Sequence, residues 1–302
     1  MILVTGGTGF IGRKLVEQLL ERGYPVRLLL RPSKTSPNLP KGKSVDAVIC
    51  GLNDERGLRG ALKGIEVIYH LASAAQQGTF GDLNQVDVAG TRTLVKAARE
   101  ANVRKIVFIS HLGADRASAF PVLKAKGLAE GFVQQSGLDY TIFRTCAVFG
   151  EGDHFTTPIA RLLRRFPFLF ILPGEGETLL QPLWVGDLIA CLLEALDNPE
   201  HKDRLYSIGG GEFVGFAEAV QTIRRSVRNP SLVLSLSPGF LRLLLLWLEQ
   251  IIHPLGFSIY WVDTLAEDRT CGLDSLPRLF GILPERFHTN LNYLSKVHRE
   301  RI

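Results

Sequence analysis

Cysteine is scarce in this chain of 302 residues: Cys50, Cys146, Cys191 and Cys271 stand far apart, with no Cys-x-x-Cys pair. That spacing argues against a disulfide framework and a zinc site, and it fits small core residues in a reducing compartment. No metal is expected. An excess of one charge is missing too, since 35 Lys and Arg against 30 Asp and Glu leave a net charge of +5. So mild a balance tolerates an anionic ligand or a membrane surface but does not demand nucleic acid, and no nucleic-acid-binding motif is recognisable. There is no internal repeat, no low-complexity run, and no apolar stretch of the ~20 residues a bilayer span requires. A first strand that begins at residue 2 leaves no room for a targeting segment ahead of it. The expectation is a cytoplasmic protein, or one peripheral on the inner face of a membrane. With 46% hydrophobic and 22% charged residues the chain can bury a large core. Its length allows one large α/β domain with an added lobe, or two domains.

What is present begins at once. Ile2-Leu3-Val4-Thr5 runs into Gly6-Gly7-Thr8-Gly9-Phe10-Ile11-Gly12, and an apolar-periodic segment follows from Arg13 to Arg22. That order reads strand, tight turn, helix. Gly7, Gly9 and Gly12 fit the dinucleotide fingerprint G-x-G-x-x-G: one glycine for the turn, one for close approach to a pyrophosphate, one for helix–strand packing. The helix N-terminus then offers unpaired N–H groups and a partial positive charge to phosphate.

Further strands are expected at Pro25 to Leu30, Val45 to Cys50, Ile65 to Leu71, Lys105 to Ser110 and Tyr140 to Arg144. They are short and largely apolar, as in a parallel sheet covered by helices on both faces. Helices are expected from about Gly51 to Lys63, Gly81 to Ala101 and Phe120 to Gly137. The second strand ends at Arg31-Pro32-Ser33-Lys34, with no Asp or Glu to accept from a ribose 2′-hydroxyl. Arg31 offers a planar fork to a 2′-phosphate and Lys34 a second charge, which favours NADP(H) over NAD(H). The fold class predicted is a doubly wound α/β sheet of Rossmann type, residues 1–150. A C-terminal lobe, 151–302, returns in part to that sheet.

The same motifs carry a family resemblance. His70-Leu71-Ala72, Asp87-Val88-Ala89-Gly90-Thr91, Val107-Phe108-Ile109-Ser110, Lys126-Gly127-Leu128-Ala129-Glu130, Phe143-Arg144-Thr145 and Gln181 to Leu188 follow the glycine turn in order. The chain thus resembles the short-chain dehydrogenase/reductase superfamily in its extended, atypical branch. Within that branch it is most similar to the nucleotide-binding accessory subunits of respiratory complex I and their bacterial relatives. The reasons are His111-Leu112-Gly113-Ala114-Asp115, Gly272 to Leu276 and Phe280 to Pro284. The resemblance implies nucleotide contacts at Gly6, Thr8, Gly9, Phe10, Ile11, Gly12, Arg31, Lys34, Leu52, Leu71, Ala72, Ser110 and Lys126.

It also implies a Tyr-x-x-x-Lys pair, in which lysine and the cationic nicotinamide lower the tyrosine's pKa. Aligned on Lys126, the tyrosine position holds Val122; aligned on Lys124, it holds Phe120. The serine or threonine that holds a substrate oxygen falls near Ser110, with Leu112 as its equivalent. Two readings stay open. The protein binds the dinucleotide without turning it over, as a subunit or assembly factor of a membrane-associated redox system. Or it is a reductase of a small carbonyl or quinone whose proton comes from elsewhere, His111 being the candidate at the open end of the fifth strand.

In the second half, Arg161, Arg164 and Arg165 stand beside Phe166-Pro167-Phe168-Leu169-Phe170-Ile171-Leu172-Pro173. They read either as lipid-facing or as a lobe helix leading into a buried strand. Residues 238–253 read as an apolar helix with Arg242, Glu249, Gln250 and His253 in one polar stripe, and Leu241, Leu244, Leu245, Leu248 and Ile252 along one face. Such a helix buries against its own lobe, or the region 240–261, with Trp247 and Trp261, docks on a membrane surface or a membrane protein complex.

Overall fold

The computed structural model describes residues 1–33, 45–251 and 259–297. Lys34, Ile252, His253 and Phe257 lie outside the described residues. The chain forms two compact units, one of residues 1–75, 82–144 and 188–207, the other of residues 76–81, 145–187 and 208–302.

The first unit is built on β1 (Ile2–Thr5), whose four residues are all buried. Helix α1 (Phe10–Glu21) follows the glycine turn and buries Leu15, Val16 and Leu19. Next come β2 (Val26–Leu30), β3 (Asp46–Ile49), the short α2 (Glu55–Ala61) and β4 (Val67–His70). A π-helical stretch, Asn84–Ala89, runs straight into α3 (Gly90–Glu100), so the one long helix expected here begins with a wider turn around Asp87. Then follow β5 (Lys105–His111), α4 (Pro121–Gln134) and β6 (Asp139–Thr145). The sheet order is β3-β2-β1-β4-β5-β6, with Arg204–Ile208 as a seventh strand beyond β6. β1 pairs in parallel with β2 and β4, β2 with β3, and β4 with β5. This is the doubly wound α/β fold, and its strand order reverses between β1 and β4, where such sheets bind ligands.

Cover on both faces fails at one strand. β3 stands at the sheet edge with Asp46 and Ala47 exposed and Ile49 71% exposed. Its charged residue is tied back to the sheet by Arg27, whose Nε lies 2.6 Å from Asp46 Oδ2. A charge on an edge strand also discourages pairing with a foreign strand. The segment 188–207 is locked to the strands by buried bonds: Tyr69 Oη donates to the Leu192 carbonyl (2.8 Å), Thr141 Oγ1 to the His201 carbonyl (2.7 Å), and Lys105 Nζ to the Ala195 carbonyl.

The second unit packs aromatic residues around Phe149, whose ring lies 5.3 Å from Trp184 and 5.2 Å from Phe287. Asp153 organises the loop before the helix Thr156–Arg165. It accepts from the backbone N–H of Gly150, Phe155 and Thr157 and from the hydroxyls of Thr156 and Tyr293. That helix leads to the strand Leu169–Pro173, which pairs in parallel with Leu232–Leu236. The apolar helix is Pro238–Ile251. Leu241 is its buried anchor, while Phe240, Leu243 and Trp247 are 57%, 67% and 63% exposed. Arg242 is not a free polar stripe residue; its Nε lies 3.0 Å from the buried Asp263 carboxylate. Among the described residues no helix is long and apolar enough to cross a membrane, and no group of three His, Cys, Asp or Glu could hold a metal ion. Cys50, Cys146 and Cys191 are buried and Cys271 is partly exposed.

Candidate functional site

Parallel register lines up the C-terminal ends of the central strands. Leu29, Thr5, His70 and Phe108 form one row across β2, β1, β4 and β5. Two residues further along each chain come Arg31, Gly7, Ala72 and Ser110. Arg31, Gly7, Ala72 and Ser110 therefore fall at the same end of the sheet because the strands are parallel and in step.

The glycine turn closes this edge. Gly6, not Gly7, takes the left-handed backbone conformation, at φ +70°, and a Cβ there would sit 2.7 Å from the Ala72 nitrogen. Gly7 instead makes room for Leu28, whose Cδ2 would lie 2.6 Å from an added Cβ. A Cβ on Gly12 would stand 2.2 Å from the Gly6 carbonyl oxygen, so α1 reaches the turn only because position 12 has no side chain. Thr8 and Gly9 are exposed, Phe10 is buried and Ile11 partly so. No side chain caps the N-terminus of α1, and its first turn holds no acid. Backbone N–H groups and the positive end of a twelve-residue helix are thus left for an anion.

Behind the turn lies a closed polar chain. Thr91 Oγ1 donates to the Asp87 carbonyl (2.6 Å), so it accepts from His70 Nε2 (2.9 Å). His70 Nδ1 then accepts from Thr5 Oγ1 (2.7 Å), whose oxygen takes the N–H groups of Leu71 (3.2 Å) and Ala72 (3.3 Å). Every donor in this chain has an acceptor only if the imidazole is neutral with its proton on Nε2. Complete burial, with Lys126 adding its charge nearby, lowers the His70 pKa to about 3. His70 is therefore a fixed strut that holds the Leu71–Ala72 backbone against the glycine turn.

Lys126 is buried on α4, with Nζ 3.1 Å from Asp87 Oδ1 and 5.1 Å from the centre of the Phe108 ring. The other Asp87 oxygen accepts from the Ala74 N–H at 2.9 Å. A buried charge needs a partner of this kind to remain charged. Asp87 was not among the residues expected at the site, although it opens the Asp87-Val-Ala-Gly-Thr91 run. Its partner comes from another helix and no local pattern announces the pair. Thr5, Thr91 and Phe108 were missed for the same reason.

The remaining expected residues are placed as follows. Arg31 is exposed immediately after β2, and Leu52 is partly buried against Gly90, where an added Cβ would lie 2.9 Å from Leu52 Cβ. Ser110 is fully buried, and its hydroxyl has no hydrogen-bond partner among the described residues. His111 ends β5 and is partly buried, and Leu112 after it is 6% exposed. Val122, four residues before Lys126, is 5% exposed. Lys34 lies outside the described residues. The open glycine turn, the uncapped helix and the orphaned Ser110 hydroxyl suit a dinucleotide: phosphates at α1, and a polar group toward β5.

Known proteins agree with this geometry. The sequence profile described as NAD(P)H-binding matches residues 6–157. Over 159 residues the chain is 34% identical to the photosystem II assembly factor Ycf39 of Cyanophora paradoxa, an overlap of 52% of this chain and 49% of that protein. It is 28% identical to the mitochondrial NADH dehydrogenase [ubiquinone] 1 alpha subcomplex subunit 9 of Arabidopsis thaliana, covering 75% of this chain and 58% of that one. The chain thus spans only about half of the length of these relatives. In fold it is similar to the UDP-glucose 4-epimerase of Thermus thermophilus in complex with NAD, at a TM-score of 0.73, 22% identity and 98% coverage of both chains. The matched stretch holds the glycine turn, the Leu71–Ala72 edge, Asp87 and Lys126, and the chain belongs to the NAD(P)H-binding family of atypical short-chain dehydrogenase/reductase proteins.

Proposed function

We propose that the chain is a nucleotide-binding, catalytically quiet accessory subunit or assembly factor of a membrane-associated redox system, complex I-like or quinone-linked, which holds NADP(H) in preference to NAD(H). The observation that carries this reading is Val122. Where reductases of the superfamily place the tyrosine that exchanges a proton, one turn before Lys126 on α4, this chain has buried hydrocarbon. Leu112, equally buried, stands at the position equivalent to the substrate-holding hydroxyl. A bound nicotinamide supplies hydride chemistry, but these residues give it no acid to complete a carbonyl reduction. Lys126, neutralised by Asp87, is left to position the nicotinamide ribose, and Ser110 offers a hydroxyl on β5.

The preference for NADP(H) rests on Arg31, exposed at the end of β2 with no acid beside it at Pro32 or Ser33. Docking rests on Phe240, Leu243 and Trp247, which share one exposed stripe of the helix Pro238–Ile251. Two of the relatives, an assembly factor and a complex I subunit, support the same reading. A cytoplasmic protein, peripheral on the inner face of a membrane, is the matching location.

The second reading is an NAD(P)H-dependent reductase of a small carbonyl or quinone. It is favoured by His111, which follows Ser110 at the ligand end of β5 and keeps part of its surface exposed. One assay separates the two. Purified full-length protein is expected to carry bound nucleotide, to bind NADPH more tightly than NADH by calorimetry, and to leave NADPH unoxidised with a panel of quinones and carbonyls. Turnover that disappears in His111→Ala would replace the first reading by the second.

A further inference from the structure

A different face of the second unit carries a contact beyond the helix stripe on which the first reading rests. The helices Thr156–Arg165 and Phe216–Ser226 each carry two arginines in the last turn, Arg164–Arg165 and Arg224–Arg225. Each then leads into one strand of the parallel pair Leu169–Pro173 and Leu232–Leu236. The two helix ends lie side by side, because Asn229 Nδ2 donates to the Leu163 carbonyl (2.7 Å) and the Leu232 N–H donates to the Phe168 carbonyl (3.0 Å). Arg224 and Arg164 brace these loops by donating to the carbonyls of Ser231 and of Leu294 and Ser295. Arg161, Arg165, Arg225 and Arg228 remain exposed at the same edge. Residues 156–172 and 219–236 contain no acid, and Glu175 stands at the opposite end of the pair, beside Ser235.

Next to this basic edge the sheet face is apolar. Register sets Leu169 against Leu232 and Ile171 against Leu234, and all four point outward, at 40%, 70%, 36% and 56% exposure. Phe170 and Leu172 point the other way and are buried. Phe166 and Phe168, 54% and 83% exposed, border the patch, and the Arg165 guanidinium lies 5.8 Å from the centre of the Phe166 ring. Parallel strands are ordinarily covered on both faces, so an uncovered aliphatic face with aromatic residues at its rim marks an interaction surface.

We propose that this face docks on an anionic lipid surface. The patch is flat and aliphatic, which suits acyl chains, and its edge carries four exposed guanidinium groups with no acid on the same segments, which suits lipid phosphates. Phenylalanines beside arginines sit well at headgroup depth. A second copy of the chain would bring the arginines against one another. Penetration stays shallow, because a sheet of two strands has open edges whose backbone groups cannot enter hydrocarbon. The surface lies on the strand pair, not on the helix that carries Phe240, Leu243 and Trp247, and the proposal does not depend on the nucleotide.

The test is co-sedimentation of the full chain with vesicles of phosphatidylcholine alone and of phosphatidylcholine with phosphatidylglycerol in equal parts. Binding is expected to the anionic vesicles only and to weaken steeply with salt. It should fall at least about tenfold in Arg165→Glu/Arg225→Glu and in Phe168→Ser/Leu232→Ser, with NADPH affinity unchanged as the check on folding. Binding indifferent to lipid charge, or undiminished in both double variants, would overturn the proposal. Loss confined to Phe240→Ser/Trp247→Ser would overturn it while leaving the accessory-subunit reading intact. Failure to bind vesicles together with capture by an acidic soluble protein would replace the lipid by a protein partner.

Discussion

Two of the parallel sheets, the seven-stranded one and the pair Leu169–Pro173 and Leu232–Leu236, are rich in aliphatic residues and are finished differently. In the seven-stranded sheet β1 and β4 are buried from end to end, and the polar groups at their C-terminal ends close into one chain from Leu71 and Ala72 through Thr5, His70 and Thr91 to Asp87. In the two-stranded sheet Leu169, Ile171, Leu232 and Leu234 are left to solvent, with arginines rather than a covering helix beside them. Strands buried on both faces can hold a neutral histidine, with a paired lysine on the helix beside them, because water does not reach these groups to compete for their hydrogen bonds. A parallel pair covered on one face keeps an apolar surface that something else must meet. Burial, not strand composition, separates the closed polar end of the large sheet from the open apolar face of the small one.

Substitutions can break that contrast. Asp87→Ala leaves the Lys126 ammonium buried without its counter-charge, and unfolding free energy is expected to drop by about 4 kcal/mol in urea titrations. Lys126→Met in the same chain should recover part of the loss. Gly12→Ala forces a methyl group against the Gly6 carbonyl, and a loss of about 3 kcal/mol together with NADPH binding is expected by thermal denaturation and calorimetry.

His70 provides the next contrast, through pH. Its folded pKa, about 3, lies below the ordinary 6.5, so the unfolded chain takes up the proton first. The stability it lends is complete above pH 6.5 and is lost as pH falls toward 3. Between pH 7 and pH 5 the loss from this group is of the order of 2 kcal/mol. His70→Gln should flatten that part of the stability–pH curve. Arg31→Ala is expected to lower NADPH affinity about tenfold, or about 1.4 kcal/mol, and to leave NADH affinity in place. On the exposed sheet the effect should be smallest: Leu232→Ser is expected to change stability by less than about 0.5 kcal/mol.

Much of the sheet end around the glycine turn is legible in the sequence. Glycines between a four-residue apolar strand and an amphipathic helix have few other uses, and short apolar strands alternating with helices point to a parallel sheet. Lys126 was legible through the family's motif order. Gly6 was not singled out for the turn, because with two adjacent glycines the fingerprint alone does not say which one carries the positive φ. Asp87 is legible as part of a motif but not as a site residue, because its partner stands on α4. The helix Pro238–Ile251 has large apolar residues on nearly every side, so spacing left open which face is covered. Leu241 faces inward, and Phe240, Leu243 and Trp247 do not.

The chain's own letters determined what depends on neighbours in sequence: strand and helix periods, the glycine turn, the absence of an acid after β2 and the hydrocarbon at Val122. Only the tertiary structure decided what depends on neighbours in space. It paired Asp87 with Lys126, kept His70 neutral, placed β3 at the edge and left one face of the Leu169–Pro173 and Leu232–Leu236 pair open. The physical reason is range. Backbone dihedrals and side-chain periodicity act over a few residues, whereas desolvation and Coulomb energy depend on everything within several ångströms, whatever its distance along the chain.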